Sequence, residues 1–186
     1  MIDTGNLRKG ATLDIDGRLV KVLEFAHNKQ GRGSAQVRLT LRDLRTGSTT
    51  QHTVQAGAKF TSVRLDRQHV QFLYSDADGY HFMDTESFDQ LALSPAAVGD
   101  AKQYVKENDV IDLMTYDGEP IDLELPVSVN LTVSQTDPGL KGDTASGGTK
   151  PATMETGLVV NVPLFINEGD VLRVDTRTGQ YIERVS

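Results

Sequence analysis

Two stretches of this sequence hold polar groups where short turns or loops would present them. The first is Lys29-Gln30-Gly31-Arg32-Gly33-Ser34-Ala35, flanked by the apolar-patterned segments LVKVLEFAH and AQVRLTL. A hairpin tip built this way offers one guanidinium with five fixed donors, suited to phosphate and sugar oxygens. The glycines on either side remove bulk, so the group can enter a narrow crevice. The competing reading is a glycine-rich turn in which Gly31 and Gly33 serve turn geometry alone and the arginine is incidental. The surroundings favour the probe, because Arg38, Arg42 and Arg45 follow on the next strand-like run.

The second stretch runs from Thr136 to Gly157, TDPGLKGDTASGGTKPATMETG. Rich in Gly, Thr, Ser and Pro, it has little with which to pack a core and reads as a long loop. Gly142, Gly147, Gly148 and Lys150 resemble a phosphate cradle. The pattern is not that of a P-loop, because Pro151 follows the lysine and no helix signal succeeds it. Many backbone N–H groups, threonine hydroxyls and one lysine suit contact with the backbone of folded RNA. The alternative is a flexible linker. Against that alternative, the loop leads straight into the strand-like GLVVNVPLFI.

Other chemistry is missing from the sequence. The chain has no cysteine, which excludes disulfides, thiolate metal sites and cysteine nucleophiles. His27, His52, His69 and His81 lack the close spacing of zinc ligands. Neither G-x-S-x-G nor H-E-x-x-H occurs, and no spacing selects a carboxylate pair. The sequence therefore predicts no catalytic residue, no metal and no cofactor. No apolar run reaches the roughly 20 residues of a membrane span, and MIDTGNLRKG has no signal-peptide core. A cytoplasmic, monomeric protein without membrane contact is expected.

The elements that must hold these groups read as short strands. Asp16-Gly17, Thr46-Gly47, Asp78-Gly79, Asp117-Gly118 and Thr178-Gly179 each lie between alternating runs, as hairpin turns require. Many short strands at regular spacing predict small barrels or sandwiches. SPAAVGDAKQYVKEN predicts one or two short helices, with Ser94 as N-cap and Gly99 as interruption. DTESFDQL predicts a further helical turn. Charge divides the 186 residues unevenly. Residues 1–64 hold 11 Lys/Arg against 5 Asp/Glu, residues 65–127 hold 3 against 14, and residues 128–186 hold 5 against 7. Cuts near 64 and 127 follow. The basic first module has the electrostatic footprint of phosphate contact, and the acidic middle should face solvent or a basic protein.

Residues 138–170, PGLKGDTASGGTKPATMETGLVVNVPLFINEGD, carry a resemblance. Lys150, Ala152, Gly157, Val162-Pro163 and Gly169 fall in the register of the signature of the bacterial elongation factor P family. The RTGQYIER terminus and the Gly-Arg-Gly tip agree with it, and the resemblance extends over essentially the whole chain. It implies an all-β fold of three small barrels: an SH3-like (KOW-type) domain at 1–64, then OB-type domains at 65–127 and 128–186, in an L-shaped, tRNA-like arrangement. It implies binding to rRNA and ribosomal proteins between the peptidyl and exit sites, contact with peptidyl-site tRNA, and relief of stalling at consecutive prolines. Arg32 takes the tip position near the tRNA acceptor end, with Gly31 and Gly33 shaping the loop. Some family members carry a modified lysine at this tip, and others an arginine that is rhamnosylated in some lineages. Arginine here excludes the lysine-type modification and leaves open a modifying enzyme acting on Arg32. Gly142, Asp143, Thr144, Gly147, Gly148 and Lys150 become candidates for contact with the small subunit.

Three alternatives stand beside this reading. The factor P-like paralogues are disfavoured, because their corresponding loop departs from GDTASGGTK. A general OB-type RNA-binding protein would need aromatic platforms. Tyr74, Tyr80, Phe82, Tyr104 and Tyr116 exist, but they lie in the acidic third, where a nucleic-acid strand is repelled. An enzyme on a carbohydrate or nucleotide is disfavoured by the missing motifs.

Overall fold

The computed structural model describes residues 1–29, 31–139 and 148–186. The described chain is almost entirely β-structure in three antiparallel sheets. The first holds β1 (Ile2–Asp3), β2 (Thr12–Ile15), β3 (Arg18–Asn28), β4 (Gln36–Asp43), β5 (Thr49–Gln55) and β6 (Lys59–Ser62), in the order β1-β6-β2-β3-β4-β5. Alternation builds its core. In β4, Val37, Leu39 and Leu41 point inward while Gln36 and Arg38 remain exposed. Those three pack with Leu7, Leu13, Val20 and Val22. Each such side chain, taken fully out of water, contributes on the order of 1.5–3 kcal/mol before chain entropy is counted.

The second sheet holds β7 (Asp66–Asp76), β8 (Gly79–Asp84), β9 (Gln90–Leu93), β10 (Val110–Tyr116) and β11 (Glu119–Glu124), in the order β11-β10-β7-β8-β9. Between β9 and β10 lie a four-residue helix, α1 (Pro95–Val98), and a 3-10 turn at Gly99–Gln103. Ser94 Oγ accepts the Ala97 amide at 3.2 Å, the expected cap. Gly99, at φ 56°, ends the α-helix where the sequence indicated. DTESFDQL departs from expectation, since it forms a turn and no helix. Asp84 accepts the amides of Glu86 and Ser87, and this local bonding competes with a helical ladder.

The third sheet holds β12 (Ser128–Thr136), β13 (Thr149–Met154), β14 (Val159–Pro163), β15 (Val171–Asp175) and β16 (Tyr181–Arg184), in the order β14-β13-β12-β15-β16. Its edge strands β14 and β16 approach each other, so the sheet curls into a small barrel that hides its edges. Leu131, Val133, Val160, Val162, Leu172 and Val174 fill it. Compactness groups the described chain differently from the sheets. One unit comprises Met1–Gln68, Leu93–Ala97 and Leu113–Asp122; the other comprises His69–Ala92, Val98–Asp112 and Leu123–Ser186.

The turns follow their glycines. Asp16 and Gly17 have φ of 52° and 80°, and Asp117 and Gly118 have 49° and 79°. Two successive positive values make the type I′ hairpin turn, which explains Asp-Gly at both places.

Candidate nucleic-acid interface

The first candidate site is built by the β3–β4 hairpin. The two strands pair from Val20↔Asp43 out to Asn28↔Gln36, with a bulge between Val22 and Glu24. Burial reaches Val37, opposite His27 and one pair short of the end of the ladder, and ends there. Val22 and Val37 are buried, whereas Ala26, His27, Asn28 and Lys29 are exposed, as are residues 31–34. The outer end of the hairpin therefore stands clear of its own core, with Arg32 exposed among Gly31, Gly33 and Ser34. Gly31 has φ 55°, and a Cβ built there meets nothing within 4 Å. Its need for glycine is conformational rather than steric.

Charge at this site is unevenly engaged. Arg45 forms a two-point contact with Glu119, Nε to Oε1 and Nη2 to Oε2, each at 3.2 Å. The Glu119 hydrogen bond, with its charge, holds the Arg45 proton more tightly than usual. Lys21 is bound to Asp122 at 2.9 Å, and Lys9 approaches Glu24 at 3.8 Å. Among the described residues no carboxylate pairs with Arg32, Arg38 or Arg42. Arg38 shares the outward face of β4 with Gln36 and Thr40, opposite Thr53 on β5. This face offers donors and unneutralised guanidinium groups, the chemistry that meets phosphate and ribose. Of the arginines grouped with the tip in the sequence, Arg45 is the one occupied elsewhere.

The second candidate is the segment between β12 and β13. Gly142, Asp143, Thr144 and Gly147 lie outside the described residues. Gly148 is half-buried at the start of β13. Lys150 is placed differently from its expected role as an RNA contact. It is 7% exposed, and its ammonium donates to the backbone carbonyl of Asp137. The signal that could have shown this is the alternation of β13, in which Lys150, Ala152 and Met154 all face inward.

Most aromatics of the acidic third pack on one another, while Phe88, between β8 and β9, is 68% exposed and Tyr74 is 46% exposed. Phe72 packs against Phe82 at 5.3 Å and Tyr80 at 5.9 Å. Tyr74 stacks on His81, ring to ring at 4.4 Å and 20°. Tyr104, 8% exposed, belongs to the core of the third sheet, and burial raises its phenol pKa above the usual value. Among the described residues no group of acidic or histidine side chains could hold a metal ion, and no helix is long and apolar enough to cross a membrane.

Comparison with known proteins finds three matched families. Residues 3–60 match "Elongation factor P (EF-P) KOW-like domain", residues 65–123 match "Elongation factor P (EF-P) OB domain", and residues 129–184 match "Elongation factor P, C-terminal". A protein named elongation factor P from Moorella thermoacetica is 52% identical over 184 residues, covering 99% of this chain and 100% of its own. Its namesake from Natranaerobius thermophilus is 50% identical over 185 residues, covering 100% of this chain and 98% of its own. Among solved structures, an initiation factor 5A from Methanococcus jannaschii overlaps 66% of this chain and 92% of its own at 15% identity, with a TM-score of 0.48.

Proposed function

The chain belongs to the elongation factor P family, and from that premise we propose that it binds the ribosome between the peptidyl and exit sites and stimulates peptide-bond formation at consecutive prolines by positioning peptidyl-tRNA. The family is one of translation elongation factors and not of enzymes, and membership implies interaction with ribosome and tRNA. The observation that carries the finer reading is the exposed Arg32 at the end of a hairpin that stands clear of its core. In this reading the chain works as three modules, 1–64, 65–127 and 128–186, and the first brings its tip to the acceptor end of the peptidyl-site tRNA.

Proline is a poor nucleophile, and its ring fixes φ, restricting the end of the nascent chain. A peptidyl-tRNA ending this way samples geometries from which attack fails. The guanidinium of Arg32, with Arg38 and Arg42 behind it, holds phosphate and ribose oxygens so that less orientational freedom is lost before attack. The RNA supplies the chemical surroundings. A gain of about 3–4 kcal/mol in the barrier corresponds to a rate change of several hundredfold.

The test is peptide synthesis on ribosomes translating a three-proline message, with a proline-free message as control. Unmodified protein should speed the proline message alone. Arg32→Ala should lose most of that stimulation while ribosome affinity falls much less. Equal loss of stimulation and affinity would reduce Arg32 to an anchor. If unmodified protein gives no stimulation, the mass of the natively purified chain shows whether Arg32 carries a substituent. An unaltered mass in that case would end the proposal.

A further inference from the structure

We infer that the outer face of β4–β5 reads the sugar edge of A-form RNA. The uncharged row Thr49, Gln51, Thr53 and Gln55 takes ribose 2′-hydroxyls, while Arg38 and Arg42 beside it hold phosphates. The row determines specificity, because it separates RNA from DNA. The inference rests on the ribosome reading for where such RNA is met.

Strand register builds the row. Gln55, Thr53, Gln51 and Thr49 stand opposite Gln36, Arg38, Thr40 and Arg42, and directly opposed residues of an antiparallel pair share a face. On the other face β4 buries Val37, Leu39 and Leu41, yet β5 is exposed at every position except the half-buried Val54. β5 is also the last strand of its sheet. Such edges are ordinarily guarded by charged side chains, proline or a bulge. β5 has no lysine, acid, proline or bulge. In a chain with 26 acidic residues and a net charge of −7, the β4–β5 part of this face carries no carboxylate. On the β3 side, Glu24 lies beside Lys9 at 3.8 Å and Lys21 is held by Asp122 at 2.9 Å, so the adjoining charges are paired.

Threonine and glutamine each offer both a donor and an acceptor, as does the ribose 2′-hydroxyl. The row from Thr49 to Gln55 spans about 20 Å along the strand. A-form RNA displays its 2′-hydroxyls across a wide, shallow minor groove, which a sheet face can meet; DNA has no such hydroxyl. The arginines alone would hold either nucleic acid through phosphate. An extended peptide added to this edge would use the β5 backbone and leave the row unengaged. The side chains of the face, rather than its edge, therefore name the occupant.

The test is an amide NMR titration of the full-length protein at low salt with three hairpins of one sequence: RNA, DNA, and 2′-fluoro RNA, which keeps the A-form but lacks the hydroxyl. RNA should shift the β5 amides and the side-chain amides of Gln51 and Gln55. It should bind about tenfold more tightly than either analogue, as the loss of a few hydrogen bonds implies. Gln51→Met combined with Thr53→Val keeps shape and strand propensity. It should bring RNA down to the affinity of the analogues and leave the slope of log affinity against log salt unchanged, because no phosphate contact is removed. Arg38→Gln should weaken all three hairpins alike and flatten that slope by about 0.9. Equal affinity for RNA and 2′-fluoro RNA would overturn the hydroxyl assignment. The absence of any saturable shift in β5 at millimolar RNA would end the proposal, as would unaltered RNA affinity in the double variant. Should that variant misfold, the 2′-fluoro comparison on wild type still decides. The three-proline assay keeps the two readings apart. Protein that discriminates RNA without speeding the proline message keeps the surface and loses the ribosome reading; the reverse result loses the surface alone.

Discussion

Among the described residues no carboxylate claims the charge of Arg32. Arg45, drawn from the same basic stretch, shows the other fate, since its guanidinium is held by both carboxylate oxygens of Glu119. Residue type and neighbourhood singled out Arg32 in the sequence as a candidate, and the structure leaves its side chain exposed. They did not separate Arg45 from Arg38, because Glu119 lies 74 residues away and its approach depends on the fold. Lys150 is the converse case. Its loop-like neighbours Gly147, Gly148 and Pro151 suggested exposure, while the alternation that turns it inward begins only at β13. Aspartates at turns give a prediction at this scale. The Ser87 amide, followed by that of Glu86, holds the Asp84 carboxyl below its ordinary range. A depressed carboxyl contributes stability above its unfolded pKa and loses that contribution as pH falls through the folded value. Urea unfolding should therefore show wild type losing more stability than Asp84→Asn as pH falls from about 5 to about 3. Parallel losses would remove Asp84 from the acid response.

At the scale of elements, the hairpins were the most legible part of the fold. Asp-Gly predicted tight turns, and Asp16-Gly17 and Asp117-Gly118 form the same type I′ geometry. The reason is steric and local, so no long-range knowledge is needed. Gly17→Ala should cost about 1 kcal/mol from the left-handed backbone alone, because a Cβ there meets no atom within 4 Å. Denaturant unfolding measures this, and a neutral result would show the turn relaxing. DTESFDQL failed as a helix for an equally local reason, the capture of two amides by Asp84. Periodicity does not report such competition.

At the scale of the whole molecule, charge is segregated along the chain, with the positive excess confined to residues 1–64 and the total at −7. Phosphate attraction must then come mainly from a minority of the chain. Ribosome affinity should fall with salt, and Arg38→Gln combined with Arg42→Gln should reduce the salt slope by about one unit for each phosphate that the two arginines neutralise. An unchanged slope would take both arginines out of the interface. Alternation and turn spacing revealed the short strands, and the distribution of charged residues the charge pattern. Neither revealed the grouping into compact units, in which the continuous strand β10 is divided after Asp112. Alternation along a strand reports which face is buried, not which neighbours bury it.

The pairing of Ile2 with Phe60 has a consequence for the biogenesis of the protein. The first strand of the chain has its partner in the last strand of its sheet, and β2 pairs with that same strand through Leu13↔Ser62. As the nascent polypeptide emerges, β2–β5 can assemble by neighbouring hairpins, but β1 must wait until Ser62 has cleared the exit tunnel. At about 5–20 residues per second this wait lasts a few seconds. During that time β1 and the β2 edge that β6 covers are open to chaperones, and docking of β6 onto both closes that window.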